Sequence, residues 1–223
     1  MGIMAKTIPG GFFITVEGID GCGKTTQSAM LTEYLKGRGL DVTHTREPGG
    51  TAIGNKIRAI LLDPANTAIT GLTELMLYSA DRAQHINELI EPVLERGGVV
   101  VCDRFTDATA AYQGYARGLD LMLIKTLSAI ATGGRKPDIT LVLDLPVEKA
   151  LTRARQRNHE NAAACEARFE DESLEFHGHV RQGYLSIAAG EPGRVKVIHA
   201  EGGIEEIQAA LREAVDRKIG ERL

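Results

Sequence analysis

Phe12-Phe13-Ile14-Thr15-Val16-Glu17-Gly18-Ile19-Asp20-Gly21-Cys22-Gly23-Lys24-Thr25-Thr26 is the stretch that decides the fold. Its first five residues are apolar or β-branched and predict a short buried strand. Gly18-x-x-x-x-Gly23-Lys24-Thr25 follows, after a strand and before a helix, which is the setting a phosphate-binding loop requires. Glycine lets the backbone wrap close to a polyphosphate, where a Cβ would block the approach or forbid the dihedrals. The N–H groups of the loop and of the following helix then point at the anion. The candidate residues for binding a nucleoside triphosphate therefore run from Gly18 through Ile19, Asp20, Gly21, Cys22, Gly23 and Lys24 to Thr25 and Thr26. Lys24 is expected to reach the β- and γ-phosphates, and Thr25 to set its hydroxyl on Mg²⁺. The motif does not say what receives the phosphate.

Working outward, strands and helices alternate. Thr25 to Gly37 predicts a helix, Leu40 to Thr45 a second strand, and Ile53 to Leu62 a second helix containing Arg58. Between them, Arg46-Glu47-Pro48-Gly49-Gly50-Thr51 is a turn-rich loop at the carboxyl edge of a strand, where ligands of parallel sheets sit. Gly71 to Arg96 predicts one long helix, bent or interrupted at Pro92. In it Tyr78 and Arg82 share a face, and by themselves fit a ring on the core edge and a solvated arginine. Val99-Val100-Val101-Cys102 reads as a central strand ending in Asp103-Arg104. An acid at that place is a candidate for the second Mg²⁺-organising group. Thr109 and Gln113 follow at i, i+4 on a short helix, and Leu119 to Thr132 makes the next one. Ile139 to Leu143 is a strand ending at Asp144, and Pro146 opens a helix carrying Arg153, Arg155 and Arg157. A polar, alanine-rich stretch from Asn158 to Ala167 leads to Arg168. Such a basic cluster reads as a solvated face or, beside a poorly patterned segment, as a closing lid. Leu174 to Ala189, Val195 to Ile198 and Ile204 to Ile219 complete the pattern as helix, strand and helix. Right-handed crossovers then give an α/β fold with a five-stranded parallel sheet covered on both faces.

The 223 residues suit one such domain, and 43 % apolar content supplies its core. A net charge of −4 provides no global basic field for nucleic acid or an anionic membrane. Cys22, Cys102 and Cys165 are scattered and odd in number, which suggests reduced thiols in a cytoplasmic protein. The segment before Phe12 lacks a signal-peptide layout, and no apolar run reaches the ~18 residues of a membrane span.

Several motifs in this order resemble bacterial thymidylate kinase. They are Glu17-Gly18-Ile19-Asp20-Gly21-x-Gly23-Lys24-Thr25-Thr26, Arg46-Glu47-Pro48-Gly49-Gly50-Thr51, Ala80-Asp81-Arg82-Ala83-Gln84-His85, Asp103-Arg104-Phe105 with Ala111-Tyr112-Gln113-Gly114, and Pro137-Asp138-x-Thr140-x-x-Leu143-Asp144. The likeness runs from about residue 10 to about residue 215. It implies a single domain over 1–223 with the three-layer nucleoside monophosphate kinase fold and a short mobile lid at about 153–170. It also implies transfer of the ATP γ-phosphate to dTMP, with Mg²⁺, in a homodimeric cytoplasmic enzyme. By the same resemblance Asp20 approaches the sugar 3′-hydroxyl and the metal site, and Glu47 lies near the acceptor. Arg58, Arg82 and Arg104 correspond to the arginines on the dTMP phosphate. Tyr78 stands where a phenylalanine usually stacks on thymine, and Thr109 and Gln113 face the base. Ala108 replaces a hydroxyl residue often seen there, which leaves more of the polar contact to Thr109. The loop has no arginine between Gly18 and Gly23, so the transition-state arginine is expected in the lid, among Arg153, Arg157 and Arg168. Lys24, Asp20 and Arg104 join them as catalytic candidates, and Thr25 with Asp103 forms the candidate metal pair. An acid often precedes the position of Arg168, and Ala167 fills it here.

Three rival readings stand beside this resemblance. A kinase for another nucleoside monophosphate would differ at Tyr78, Thr109 and Gln113. A GTPase-type switch would carry an Asn-Lys-x-Asp guanine motif, and the nearest string, Asn55-Lys56-Ile57-Arg58, ends in the wrong charge. A nucleotide-binding structural module leaves arginines in four separate segments without a use.

Overall fold

Strand β1 (Phe12–Glu17) is buried along its whole length. It sends alternate side chains to opposite faces, as strand geometry requires. Phe12, Ile14 and Val16 pack with Leu31 and Leu35 of helix α1 (Lys24–Gly37). Phe13 turns the other way, with Val100 and Cys102 of β3 (Val99–Asp103), against Ile86, Ile90, Val93 and Leu94. The computed structural model describes residues 6–160, 168, 169 and 172–222, with the backbone alone for 157–160. β2 (Val42–Arg46), β4 (Ile139–Asp144) and β5 (Val195–His199) complete a five-stranded sheet of order β2-β3-β1-β4-β5, and every pairing is parallel. The inner strands are nearly continuously apolar and buried, while β2 and β5, at the edges, alternate with exposed positions. The α/β expectation of a five-stranded parallel sheet flanked by helices therefore holds.

Chain order reverses direction at β1, whose neighbours are β3 and β4. The carboxyl ends of strands at such a switch point open a crevice, and the loops after β1, β2 and β3 all discharge into it. The loop after β1 makes its turn with Gly21 at φ 80, where a Cβ would fall 1.9 Å from the Ala150 carbonyl oxygen of helix α7 (Val147–Glu160). That position admits no side chain.

Element boundaries depart from the sequence expectation in four places. Leu40 N bonds back to Leu35 O, so Leu40 belongs to the closing turn of α1 and β2 begins at Val42. After α2 (Ala52–Leu62), the expected single helix Gly71–Arg96 is α3 (Gly71–His85), a π-helical turn at Ile86–Ile90 and α4 (Glu91–Glu95). Pro92 has no N–H to return to the carbonyl of Glu88 and its ring crowds that carbonyl, so the wider turn lies just ahead of it. A second π-helical turn, Ala110–Ala116, follows the short α5 (Thr106–Thr109), so Thr109 and Gln113 do not share one regular helix. Helix α6 (Leu121–Thr132) starts later than Leu119 because the Asp120 carboxylate accepts from Met122 N and caps it. α8 (Leu174–Gly190) and α9 (Ile204–Gly220) fall where periodicity places them. Residues 161–167 and 170 of the expected lid, with the side chain of Arg157 and with Cys165, lie outside the described residues.

Phe13 also fixes the loop after β3, since its ring meets Phe105 edge to face at 4.9 Å between centroids. Phe13→Ala is expected to destabilise the fold by about 3–5 kcal/mol, measured by urea unfolding.

Candidate active site

A cavity of about 910 Å³ occupies the crevice at the carboxyl edge of the sheet. Six basic residues line it, Lys24, Arg46, Arg58, Arg82, Arg104 and Arg153, against three acids, Asp20, Glu47 and Asp103. An acidic chain has thus gathered local positive charge in one cleft, which suits a polyanionic ligand.

The loop after β1 forms one wall. Gly23, at φ 101, caps α1 and aims the start of that helix at the cavity. Lys24 is buried, and its Nζ donates to Gly18 O at 3.1 Å and Ile19 O at 2.9 Å. Asp20, Gly21, Gly23, Lys24, Thr25 and Thr26 line the cavity, whereas the side chains of Ile19 and Cys22 turn into the core. Thr25 Oγ1 donates to Asp103 Oδ2 at 3.1 Å, so the hydroxyl at the head of α1 and the acid at the end of β3 meet.

Arg104 follows Asp103 with φ 70, a left-handed conformation that a side-chain-bearing residue holds at a cost of about 1–2 kcal/mol. Its guanidinium donates to Asp20 Oδ1 at 2.6 Å, Tyr112 Oη at 3.1 Å, Gly18 O at 3.1 Å and Tyr184 Oη at 3.2 Å. Burial would push the Asp20 carboxyl up. The Arg104 and Lys24 cations outweigh it and hold that carboxyl well below the usual carboxylate range. Glu17, one residue before the loop, shows the opposite balance. Burial, aided by the charge of Asp107, raises it from 4.5 to about 7, although Arg104, Tyr184 and the Phe105 N–H all favour its ionised form.

The far wall comes from α3 and the loop after β2. Arg82 is 1 % exposed, and its Nε donates to Glu47 Oε2 at 2.8 Å. Its Nη2 donates to Thr109 Oγ1 at 2.9 Å and Phe105 O at 3.2 Å, while Nη1 has no protein partner. A buried guanidinium donor without a partner on a cavity wall is a place for an anionic oxygen. Glu47 is held from its other side by His85 Nδ1 at 3.0 Å, so its carboxylate orients Arg82 from within the core. Arg58 Nη1 donates to Pro48 O at 2.9 Å and also lines the cavity. Tyr78, half-buried, lies one turn before Arg82 on the same wall, and Thr109 and Gln113, which bond to Arg82 and Glu74 of that helix, line the cavity beside it.

The lid candidates separate. Arg153 lines the cavity on the side of the phosphate loop. Arg168 is turned to the buried Glu74, with Nη2 to Oε2 at 2.7 Å, and its other terminal nitrogen donates to Leu61 O. Sequence reading gave no role to Glu17, Glu74, Tyr112 or Tyr184, all of which hold site residues in place. Glu74 had a signal, because Glu74, Tyr78 and Arg82 form one i, i+4 row. Tyr184 had none, since its contacts to Glu17 and Arg104 span 167 and 80 residues.

The sign of the Glu17 shift gives a test. The folded state binds its proton more tightly than the unfolded chain, so this group's contribution to stability falls as pH rises from 4.5 to about 7. Glu17→Gln keeps an acceptor for Phe105 N and removes the titration. Thermal unfolding across that window is expected to show a flatter pH dependence in Glu17→Gln than in the wild type.

The family model for thymidylate kinase matches residues 16–211. The chain is 53 % identical over 209 residues to a thymidylate kinase of Geobacter sp. (strain M21), covering 94 % of this chain and 93 % of that one. It is 54 % identical over 208 residues to a thymidylate kinase of Desulfosudis oleivorans, covering 92 % and 96 %. Among solved structures, it superposes on the crystal structure of thymidylate kinase from Ehrlichia chaffeensis with a TM-score of 0.75 at 35 % identity, covering 93 % of this chain and 99 % of that one. A likeness of this extent, carried by both sequence and fold, means that the chain belongs to the thymidylate kinase family.

Proposed function

We infer that this protein transfers the γ-phosphoryl group of ATP to dTMP, giving dTDP and ADP. The observation that carries the reading is the pairing of two anion sites across one cavity. The phosphate loop with Lys24 forms one wall, and the buried Arg82, whose Nη1 has no protein partner, lines the same cavity. The new bond forms between a dTMP phosphate oxygen and the γ-phosphorus, and the bond from that phosphorus to the β,γ-bridging oxygen breaks. Little covalent help is needed, so the protein's part is alignment and charge neutralisation. Backbone N–H groups at the head of α1 and the Lys24 ammonium bind the donor phosphates. Arg82, Arg58 and Arg104 hold the acceptor phosphate, and Asp20, kept ionised by Arg104, orients the acceptor's sugar. Tyr78 stacks on the base while Thr109 and Gln113 read its edge. Arg153 serves as the transition-state arginine, with Arg157 and Arg168 as the other lid candidates, and closing of the lid excludes water.

The Thr25–Asp103 pair fits Mg²⁺. A hydroxyl and one carboxylate leave the remaining positions to phosphate oxygens and water, the coordination this ion prefers. Thr25 and Asp103 would hold the ion, which would supply charge neutralisation at the donor phosphates.

The protein acts as a homodimer in the cytoplasm. Exposed apolar stripes support the dimer: Ile53 and Ile60 on α2, Leu72 and Met76 on α3, and Leu123 and Ile130 on α6. The members of each pair are four or seven residues apart, hence on one helix face, and α3 packs against both α2 and α6. Cys22 and Cys102 are free buried thiols, in keeping with a reducing compartment. No helix among the described residues is long and apolar enough to cross a membrane.

A coupled ADP-release assay with each nucleoside monophosphate in turn tests the activity. Lys24→Ala is expected to lose turnover by roughly 10²–10³-fold with its fold intact, since Lys24 neutralises charge at the transition state. Arg82→Lys should raise the KM for dTMP and leave the KM for ATP unchanged, because an ammonium cannot reproduce the planar fork. Turnover of other nucleotides with dTMP refused would overturn the acceptor assignment. Met76→Glu is expected to yield monomers in light scattering, and a dimer that survives it lies on another face.

A further inference from the structure

Glu74 is fully buried in α3, and three side chains from other parts of the chain donate to it. Gln113 Nε2 reaches its Oε1 at 2.8 Å, Arg117 Nε reaches the same oxygen at 3.0 Å, and Arg168 Nη2 reaches Oε2 at 2.7 Å. Both arginines also lie over the Phe169 ring, so the carboxylate is itself held from two sides. A carboxylate accepts and does not donate, which leaves the Gln113 amide one orientation. Its NH₂ faces Glu74, and its carbonyl oxygen is left for the cavity that Gln113 lines.

We propose that Glu74 is a positioning residue for base selection, locking the Gln113 carboxamide so that an acceptor and not a donor faces the nucleobase. This rests on the reading of Thr109 and Gln113 as the base-facing pair. The two ends of a carboxamide are nearly the same shape, so packing alone does not choose between them; a committed partner does. Thymine and uracil carry a hydrogen on N3, and an acceptor oxygen completes that bond. Cytosine carries a lone pair on N3, and the same oxygen repels it. A flipped amide would reverse the preference. Glu74, Tyr78 and Arg82 lie one turn apart along α3, so one helix face brings the lock, the stacking ring and the phosphate arginine to the same ligand. A supporting carboxylate behind the contact residue is what holds such a group to one geometry.

The test is the ratio of kcat/KM for dCMP to that for dTMP in the full-length enzyme, with the KM for ATP and the melting temperature measured alongside. Glu74→Gln replaces the obligate acceptor with a group that can donate, and frees the Gln113 amide to turn. The dCMP-to-dTMP ratio is expected to rise roughly tenfold or more, with the KM for ATP unchanged. The double variant Glu74→Gln, Gln113→Glu moves the carboxylate across the pair. There it accepts from the new amide and still turns an oxygen to the base, so the ratio should return to within about threefold of wild type. Arg117→Ala removes a support but leaves the carboxylate on the amide, and should lower the melting temperature without relaxing the ratio. Wild-type selectivity in Glu74→Gln, a double variant as unselective as the single, or equal relaxation in Arg117→Ala would each overturn the proposal. If Glu74→Gln does not fold, the double variant decides alone: a restored ratio supports the lock and a relaxed one overturns it. A wild-type enzyme indifferent between dCMP and dTMP overturns the base-facing reading and Glu74's role with it. A selective wild type beside an equally selective Glu74→Gln overturns only the role of Glu74.

Discussion

The Arg104 guanidinium joins three separate pieces of chain at one point. It meets the loop after β1 through Gly18 and Asp20, the π-helical turn through Tyr112, and α8 through Tyr184. Its own backbone sits in a left-handed conformation that an arginine does not favour, and it persists because so many partners fix the side chain. Once Arg104 is in place, Asp20 is ionised and aimed, and the phosphate loop has a fixed distance to the end of β3. Thr25 and Asp103 then meet without further constraint. The phosphate loop alone would specify a nucleotide site; the arginine behind it makes that loop one wall of a two-substrate cleft.

The opposite wall repeats the arrangement with less exposure. Glu47 and Arg82 form a buried ion pair, which by itself contributes little to stability because desolvation offsets the attraction. Its value lies in direction. Glu47 takes the Nε edge of the guanidinium, Thr109 and Phe105 take one terminal nitrogen, and the remaining one has no protein partner. The energetic cost of an unpaired buried donor is the same physical fact as its readiness for an anion.

How much of this the sequence discloses depends on the range over which each feature is written. The phosphate loop is local, and the run from Phe12 to Thr26 contains everything needed to build it. Inner and edge strands differ in pattern, so the order of burial across the sheet is legible from Val99-Val100-Val101 against Val195-Lys196-Val197. Thr109 and Gln113 stand out by their spacing, while the role of Arg82 comes from resemblance, since spacing alone gives it a solvated reading that its 1 % exposure contradicts. The π-helical turns were not legible, because apolar spacing barely distinguishes them from a regular helix with one proline. Glu74 and Tyr184 act through partners 39 to 167 residues away, and no local pattern encodes those pairings.

Three carboxyl groups around the cleft show how fine that long-range placement is. Asp20, Glu17 and Asp81 are alike in chemistry, and burial pushes each of them toward the neutral form. Asp20 faces both Lys24 and Arg104 and stays ionised. Glu17, three residues away, feels Arg104 but also the like charge of Asp107, and rises to about 7. Asp81 lies beside Arg82, yet that cation is committed to Glu47, whose charge adds to burial in raising Asp81 to about 7. Asp81 thus sits where a proton is retained near neutrality, beneath the loop whose Gly49 N–H it accepts. The direction of each shift follows from which guanidinium is free to answer a given carboxylate. The positive charge that reaches the cavity is what remains once those internal pairings are made.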